Sequence, residues 1–147
     1  MYNTFLQGVR AGALAGLLLV GLFFVDYGPA TSLSTVARWF ALDGNPWSKL
    51  IGAMLLMLLG ALFGGIFGSV FGRQSRSPFQ SLLIGLATGL CWWVVLILLL
   101  STVLRHIQQS VYGMLLWLVT SLLYGLVLEN LYGWFQKREA RRIRLNG

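Results

Sequence analysis

The chain has 147 residues, 57% of them hydrophobic and only 10% charged, with a formal net charge of +7. A soluble domain carries about a quarter charged residues, and one this small has too little interior to hide so much apolar surface. The composition therefore excludes an ordinary water-soluble fold, and one cysteine (Cys91) with one histidine (His106) excludes a disulfide framework and paired axial haem ligands within the chain.

Four apolar blocks reach the ~20 residues needed to cross ~30 Å of hydrocarbon. The first covers about 5–26, interrupted only by Gln7 and Arg10 near its start. Its run from Ala11, followed by Gly28-Pro29-Ala30, loosely resembles a secretory signal, but we read it as a retained span. The blocks lack the period-two alternation of barrel strands, so helices are expected, with every backbone group paired inside its own segment.

A long loop follows. Leu33, Val36, Ala37 and Phe40 fall at helical spacing among polar neighbours, which predicts a short interfacial helix over about 32–42, with Ser32 as its cap and Asp43-Gly44 as its end. Asn45-Pro46-Trp47 marks the start of the second span, 47–72, with Trp47 at interfacial depth. Trp39 and Trp134 are further belt candidates. Ser77-Pro78-Phe79-Gln80 is a capping box with proline at the first helical position, opening the third span, 78–104. Cys91, in the middle of that span, is expected as a small buried apolar residue. The fourth span, 111–135, carries one charge, Glu129, and leads into a basic tail, 136–147.

Glycines recur at spacing four: Gly8, Gly12 and Gly16 in span one, and Gly60, Gly64, Gly68 and Gly72 in span two. Gly85 and Gly89 follow in span three, and Gly125 and Gly133 in span four. Small residues at this spacing let helix backbones approach closely, because lipid supplies no hydrophobic drive for helix association. A constant offset of 73 carries the motif of span one onto span three (Gly12 to Gly85), and one of 65 carries span two onto span four (Gly60 to Gly125). The expected fold is all-α: a single transmembrane domain in which two tandem two-helix hairpins form a four-helix bundle, with the interfacial helix in the first external loop. An even number of spans per copy puts the pseudo-twofold axis along the membrane normal.

Eight basic residues fall on one side: Arg10, Arg73, Arg76, Lys137, Arg138, Arg141, Arg142 and Arg144. Only Arg38, Lys49 and Arg105 fall on the other. The positive-inside rule then places both termini in the cytoplasm, as expected for a bacterial inner-membrane protein. The basic residues are read as a topology signal that meets lipid headgroups, not as a nucleic-acid surface. In the second copy Glu129 and Asn130 replace Gly64 and Gly65. Glu129 shares a helix face with Ser121, Gly125 and Gly133, which points it at a helix interface; an ionisable residue inside a span is a functional candidate, and Glu129 can alternatively pair with Arg73 or Arg76.

No catalytic residues, metal ligands or cofactor are expected, with room left for a bound lipid or pigment. The size and glycine pattern resemble small bacterial four-helix inner-membrane proteins. Small multidrug transporters share the span count, but span one lacks their acidic residue. The leading expectation is a non-catalytic accessory or scaffold subunit that packs against a larger membrane complex through its glycine faces, with membrane lipids and other membrane subunits or further copies of itself as partners. The alternative is a small homo-oligomeric transporter or channel with Glu129 near its path.

Overall fold

The computed structural model describes residues 2–24, 33–42, 46–72, 77–97 and 110–145. Arg73, Arg76 and His106, the proposed stops and caps at 32 and 43–45, and the ends of spans one (25–26) and three (98–104) lie outside the described residues. The described residues form five helices: α1 (Tyr2–Phe24), α2 (Leu33–Trp39), α3 (Ser48–Phe71), α4 (Pro78–Val94) and α5 (Val111–Leu145). Four segments are long and apolar enough to cross a membrane, namely Thr4–Phe23, Ser48–Phe71, Pro78–Ile97 and Val111–Arg138.

Local chemistry sets the helix starts. At α4 the Gln80 N–H donates to Ser77 Oγ at 3.3 Å and the Ser77 N–H to Gln80 Oε1 at 3.1 Å, a complete capping box with Pro78 following. At α5 the Gly113 N–H donates to Ser110 Oγ at 3.1 Å, so Ser110 satisfies one of the first-turn donors. The start of α3 differs from expectation. Trp47 is its N-cap, with no side-chain cap, because Pro46 and Trp47 form a turn and Ser48 is the first helical residue.

The short α2 ends before Asp43-Gly44. The Leu42 N–H reaches Ala37 O and the Ala41 N–H reaches Arg38 O, each at 3.0 Å, while Ala41 takes φ 58°. That is a Schellman ending with alanine at the left-handed position where glycine is usual. Ala41→Gly is therefore expected to stabilise the protein by about 0.5–1 kcal/mol, read as a rise in unfolding midpoint in a denaturing-detergent titration.

The basic tail does not stop α5, because Lys, Arg and Glu are good helix formers. The helix continues ten residues past Phe135, to Leu145.

Packing is pairwise. α1 lies chiefly against α3 and α4 against α5; α1 also meets α5, and α2 rests on α3. Between the two pairs runs a layer of rings. Phe23 of α1 stacks on Trp117 of α5 at 4.4 Å between centroids, and Phe63 of α3 meets Trp92 of α4 at 5.0 Å. Trp92 in turn stacks on Tyr124 at 4.9 Å, and Phe67 sits edge-on to Tyr132 at 5.8 Å. Trp92, Trp117 and Tyr124 are essentially inaccessible. These rings supply the largest buried side chains of the core, each burying far more surface than an aliphatic residue.

The outward faces are apolar. On α3, Leu50, Met54, Leu58, Leu62, Ile66 and Val70 repeat every fourth residue, each more than half exposed. Cys91 lies on the corresponding outer face of α4 and is exposed, not buried as expected. It sits two residues past Gly89, about 200° round the helix from that inward-facing glycine.

Candidate functional site

The glycines meet backbone to backbone. A Cβ added at Gly64 would lie 2.7 Å from Gly12 Cα and would also strike Gly8 O; one added at Gly12 would lie 2.9 Å from Gly64 Cα and strike Gly60 O. Gly8 and Gly68 close the same seam one turn nearer the N-terminus of α1, and Gly16 closes it at the other end against Met57 Cα at 3.2 Å. Gly72 completes the stripe against the Tyr132 hydroxyl and the Thr4 side chain.

The α4–α5 seam is built the same way. A Cβ at Gly125 would lie 2.7 Å from Gly89 Cα and strike Gly85 O; one at Gly89 would lie 2.7 Å from Leu122 Cα and strike Ser121 O. Offsets of 73 and 65 carry the contacts of the first seam onto the second. Gly16 against Met57 and Leu56 becomes Gly89 against Leu122 and Ser121, and Gly60 against Gly12 and Gly16 becomes Gly125 against Gly85 and Gly89. Gly133 stands apart: nothing lies within 4 Å of the position its Cβ would take. One close approach was missed in the sequence. Gly52 admits Leu33 O, which seats α2 on α3; a lone glycine without a partner at spacing four gave no signal.

Polar groups in the apolar helices mostly bond locally. Thr120 Oγ1 donates to Leu116 O at 2.9 Å, Ser69 Oγ to Gly65 O at 3.0 Å, and Asn130 Nδ2 to Leu126 O at 2.8 Å. Trp93 Nε1 reaches Met114 O at 3.1 Å, linking α4 to the first turn of α5. The buried Tyr124 hydroxyl crosses between the helix pairs, donating to Gly60 O at 2.7 Å. Gly60 O lies within α3, where the helix ladder also uses it, so Tyr124→Phe is expected to cost only about 0.5–1.5 kcal/mol in detergent unfolding.

Glu129 is buried, 8% exposed, facing inward from α5. It lines a half-open cavity of about 720 Å³ between the end of α3, the start of α4 and α5. Asn130, exposed, and Gly133 line the same cavity, together with Phe71, Ser81, Tyr132, Trp134, Gln136 and Lys137. Gln136 Nε2 donates to Gly72 O and to Tyr132 Oη, tying the end of α3 to α5. Beyond the cavity the basic residues of α5 begin. Lys137, Arg138 and Arg141 are exposed, Arg138 lies over the Trp134 ring at 3.9 Å, and Arg142 and Arg144 follow on the same helix.

Among the described residues, no three His, Cys, Asp or Glu side chains converge on a metal-sized site. No protein-family model matches the chain, and no curated protein or solved structure matches it significantly.

Proposed function

We propose that this chain is a non-catalytic multi-pass membrane protein acting as an accessory or scaffold subunit in a larger membrane assembly. The observation that carries the reading is the pair of glycine seams. Helices held backbone to backbone at these glycines make rigid pairs, and the rings between the pairs are buried, Phe63 only partly. Such a body suits a fixed structural element better than one that must repack between two states. Because the seams lie inside the chain, its contacts with partners fall to the outward faces, not to the glycines. Large exposed apolar side chains on α1, α3, α4 and α5 support the membrane setting, since water does not tolerate apolar patches on that scale.

In this reading the four long helices form a bundle of two copied hairpins in a bacterial inner membrane, with both termini cytoplasmic. The matched contacts at offsets 73 and 65 support the copy, and the basic excess supports the orientation. No cofactor is assigned. The partners are membrane lipids and other membrane subunits or further copies of the chain.

Purification in a mild detergent followed by native mass spectrometry is expected to recover the chain with a second subunit or as an oligomer. Recovery of monomer alone would sink the reading. The cavity beside Glu129 favours a second reading, a small homo-oligomeric transporter or channel. In liposomes that show flux, Glu129→Gln is then expected to abolish it, and unchanged flux would remove Glu129 from the path.

A further inference from the structure

The basic end of α5 is one-sided. At about 100° per residue, positions 137, 138, 141, 142 and 144 fall within an arc of about 160° of the helix. Tyr132, buried against Phe67 of α3, lies about 160° from the centre of that arc, so the arc faces away from α3. Position 139, the one acidic residue after Trp134, falls about 140° from the centre. A topology signal needs basic residues on one side of a membrane but no particular face of a helix. The arc also continues a surface that begins deeper along α5. Leu123 and Trp134, both exposed, lie within about 20° of its centre and about 16 Å apart along the axis, the depth of one leaflet's hydrocarbon. Asn130, between them, bonds its own helix at Leu126 O. Lys137, Arg138 and Arg141, all exposed, follow Trp134 by roughly 5–10 Å, and long basic side chains reach back to headgroup depth. Arg138 is anchored there, its guanidinium carbon 3.9 Å from the centre of the Trp134 ring. Stacking on a ring uses a face of the guanidinium, whereas its N–H donors lie in its plane, where phosphate oxygens bind.

We propose that this face of α5 binds an anionic phospholipid, its acyl chains along the helix as far as Leu123, its glycerol region at Trp134 and its phosphate among Lys137, Arg138 and Arg141. A lipid fits better than an acidic protein segment because the basic arc and the exposed apolar surface are continuous. That surface matches a molecule charged at one end and apolar over the rest. The inference rests on the membrane reading above, not on the subunit role.

Titration of the full chain in dodecyl maltoside with dioleoylphosphatidylglycerol, read by native mass spectrometry, tests this, with dioleoylphosphatidylcholine as control. Both lipids carry the same chains and a phosphate, but the choline ammonium neutralises the second. Phosphatidylglycerol is expected to bind at least about tenfold more tightly, since each basic residue at an anionic surface contributes about fivefold. The triple variant Lys137→Gln/Arg138→Gln/Arg141→Gln should lower its affinity at least about tenfold and leave that for phosphatidylcholine within about twofold of wild type. These exposed positions lie outside both glycine seams, so the helix pairs should still close. Should the variant fail to fold, salt decides: the wild-type preference should shrink at least about threefold between roughly 20 mM and 0.5 M ammonium acetate. Equal affinity for the two lipids would overturn the proposal and leave the face to an acidic protein segment. A preference unchanged by salt, or a triple variant within about twofold of wild type for phosphatidylglycerol, would also overturn it. A chain that stays in solution without detergent would overturn the membrane reading and this site with it. In detergent, a missing lipid preference overturns the site alone.

Discussion

Gly64→Leu is expected to destroy the α1–α3 pairing, at a cost of more than about 3 kcal/mol. The obstacle to a side chain at Gly64 is not a mobile neighbour. It is Gly12 Cα at 2.7 Å and Gly12 N at 2.9 Å, with Gly8 O closer still. Backbone atoms cannot rotate away as the end of a side chain can, so the helices must separate along the whole seam. Every dispersion contact between them then weakens together, and in hydrocarbon those contacts hold the pair. Even Gly64→Ala should be destabilising, although alanine is the better helix former by about 1 kcal/mol. Gly125→Leu should do the same to α4–α5, where Gly89 N and Cα stand in the way. The chain carries its own controls. Gly21 and Gly133 have nothing within 4 Å of their Cβ positions, so Gly21→Ala and Gly133→Ala should be neutral or slightly stabilising. Unfolding titrations in sodium dodecyl sulfate would check all five variants. Similar midpoints for Gly64→Ala and Gly133→Ala would show that the seam is not under the constraint described.

Trp92→Ala is the second large effect, expected at about 3–5 kcal/mol. Trp92 is 1% exposed and joins three helices through its ring: Phe63 of α3 on one side and Tyr124 of α5 on the other, from its own place on α4. Truncation leaves a hole lined by two rings that their own helices hold in place, so the cavity cannot collapse cheaply. Trp92→Phe should cost much less. It keeps a ring in the stack and gives up an indole N–H that has no hydrogen-bond partner among the described residues. The two glycine seams do not involve Trp92, so the alanine variant should loosen one helix pair from the other while each pair stays closed. Cysteine crosslinks placed within and between pairs would distinguish that outcome from general unfolding.

The features legible in the sequence are those with a local signature. Four apolar blocks mark the four long helices, Ser77-x-x-Gln80 writes its own capping box, and glycines at spacing four mark the faces that meet. Inward and outward faces of apolar helices were harder to tell apart. A helix apolar all round shows no polar stripe to mark the side facing solvent. Hence Cys91 was expected inside and lies outside, while tryptophan drew attention to the interfacial belt although Trp92 and Trp117 fill the core. The burial of Glu129 was legible because a single charge on a helix reports its face by spacing from Ser121 and Gly125. The cavity beside it was not, since it needs the end of α3 and the start of α4 brought to one place. The end of α2 was also hidden: alanine at a left-handed position carries no sequence signal.

The two seams also bear on the order in which the chain assembles. The backbone-to-backbone contacts of each are made within one helix pair, and those of the first reach no further than Gly68. On a ribosome the α1–α3 pair can therefore zip before α4 has been synthesised. The aromatic layer, which needs Trp92, Trp117 and Tyr124, can close only when the last helix emerges. Assembly from pre-closed local units exposes few unpaired surfaces on the way, the condition under which larger chains avoid misassociation.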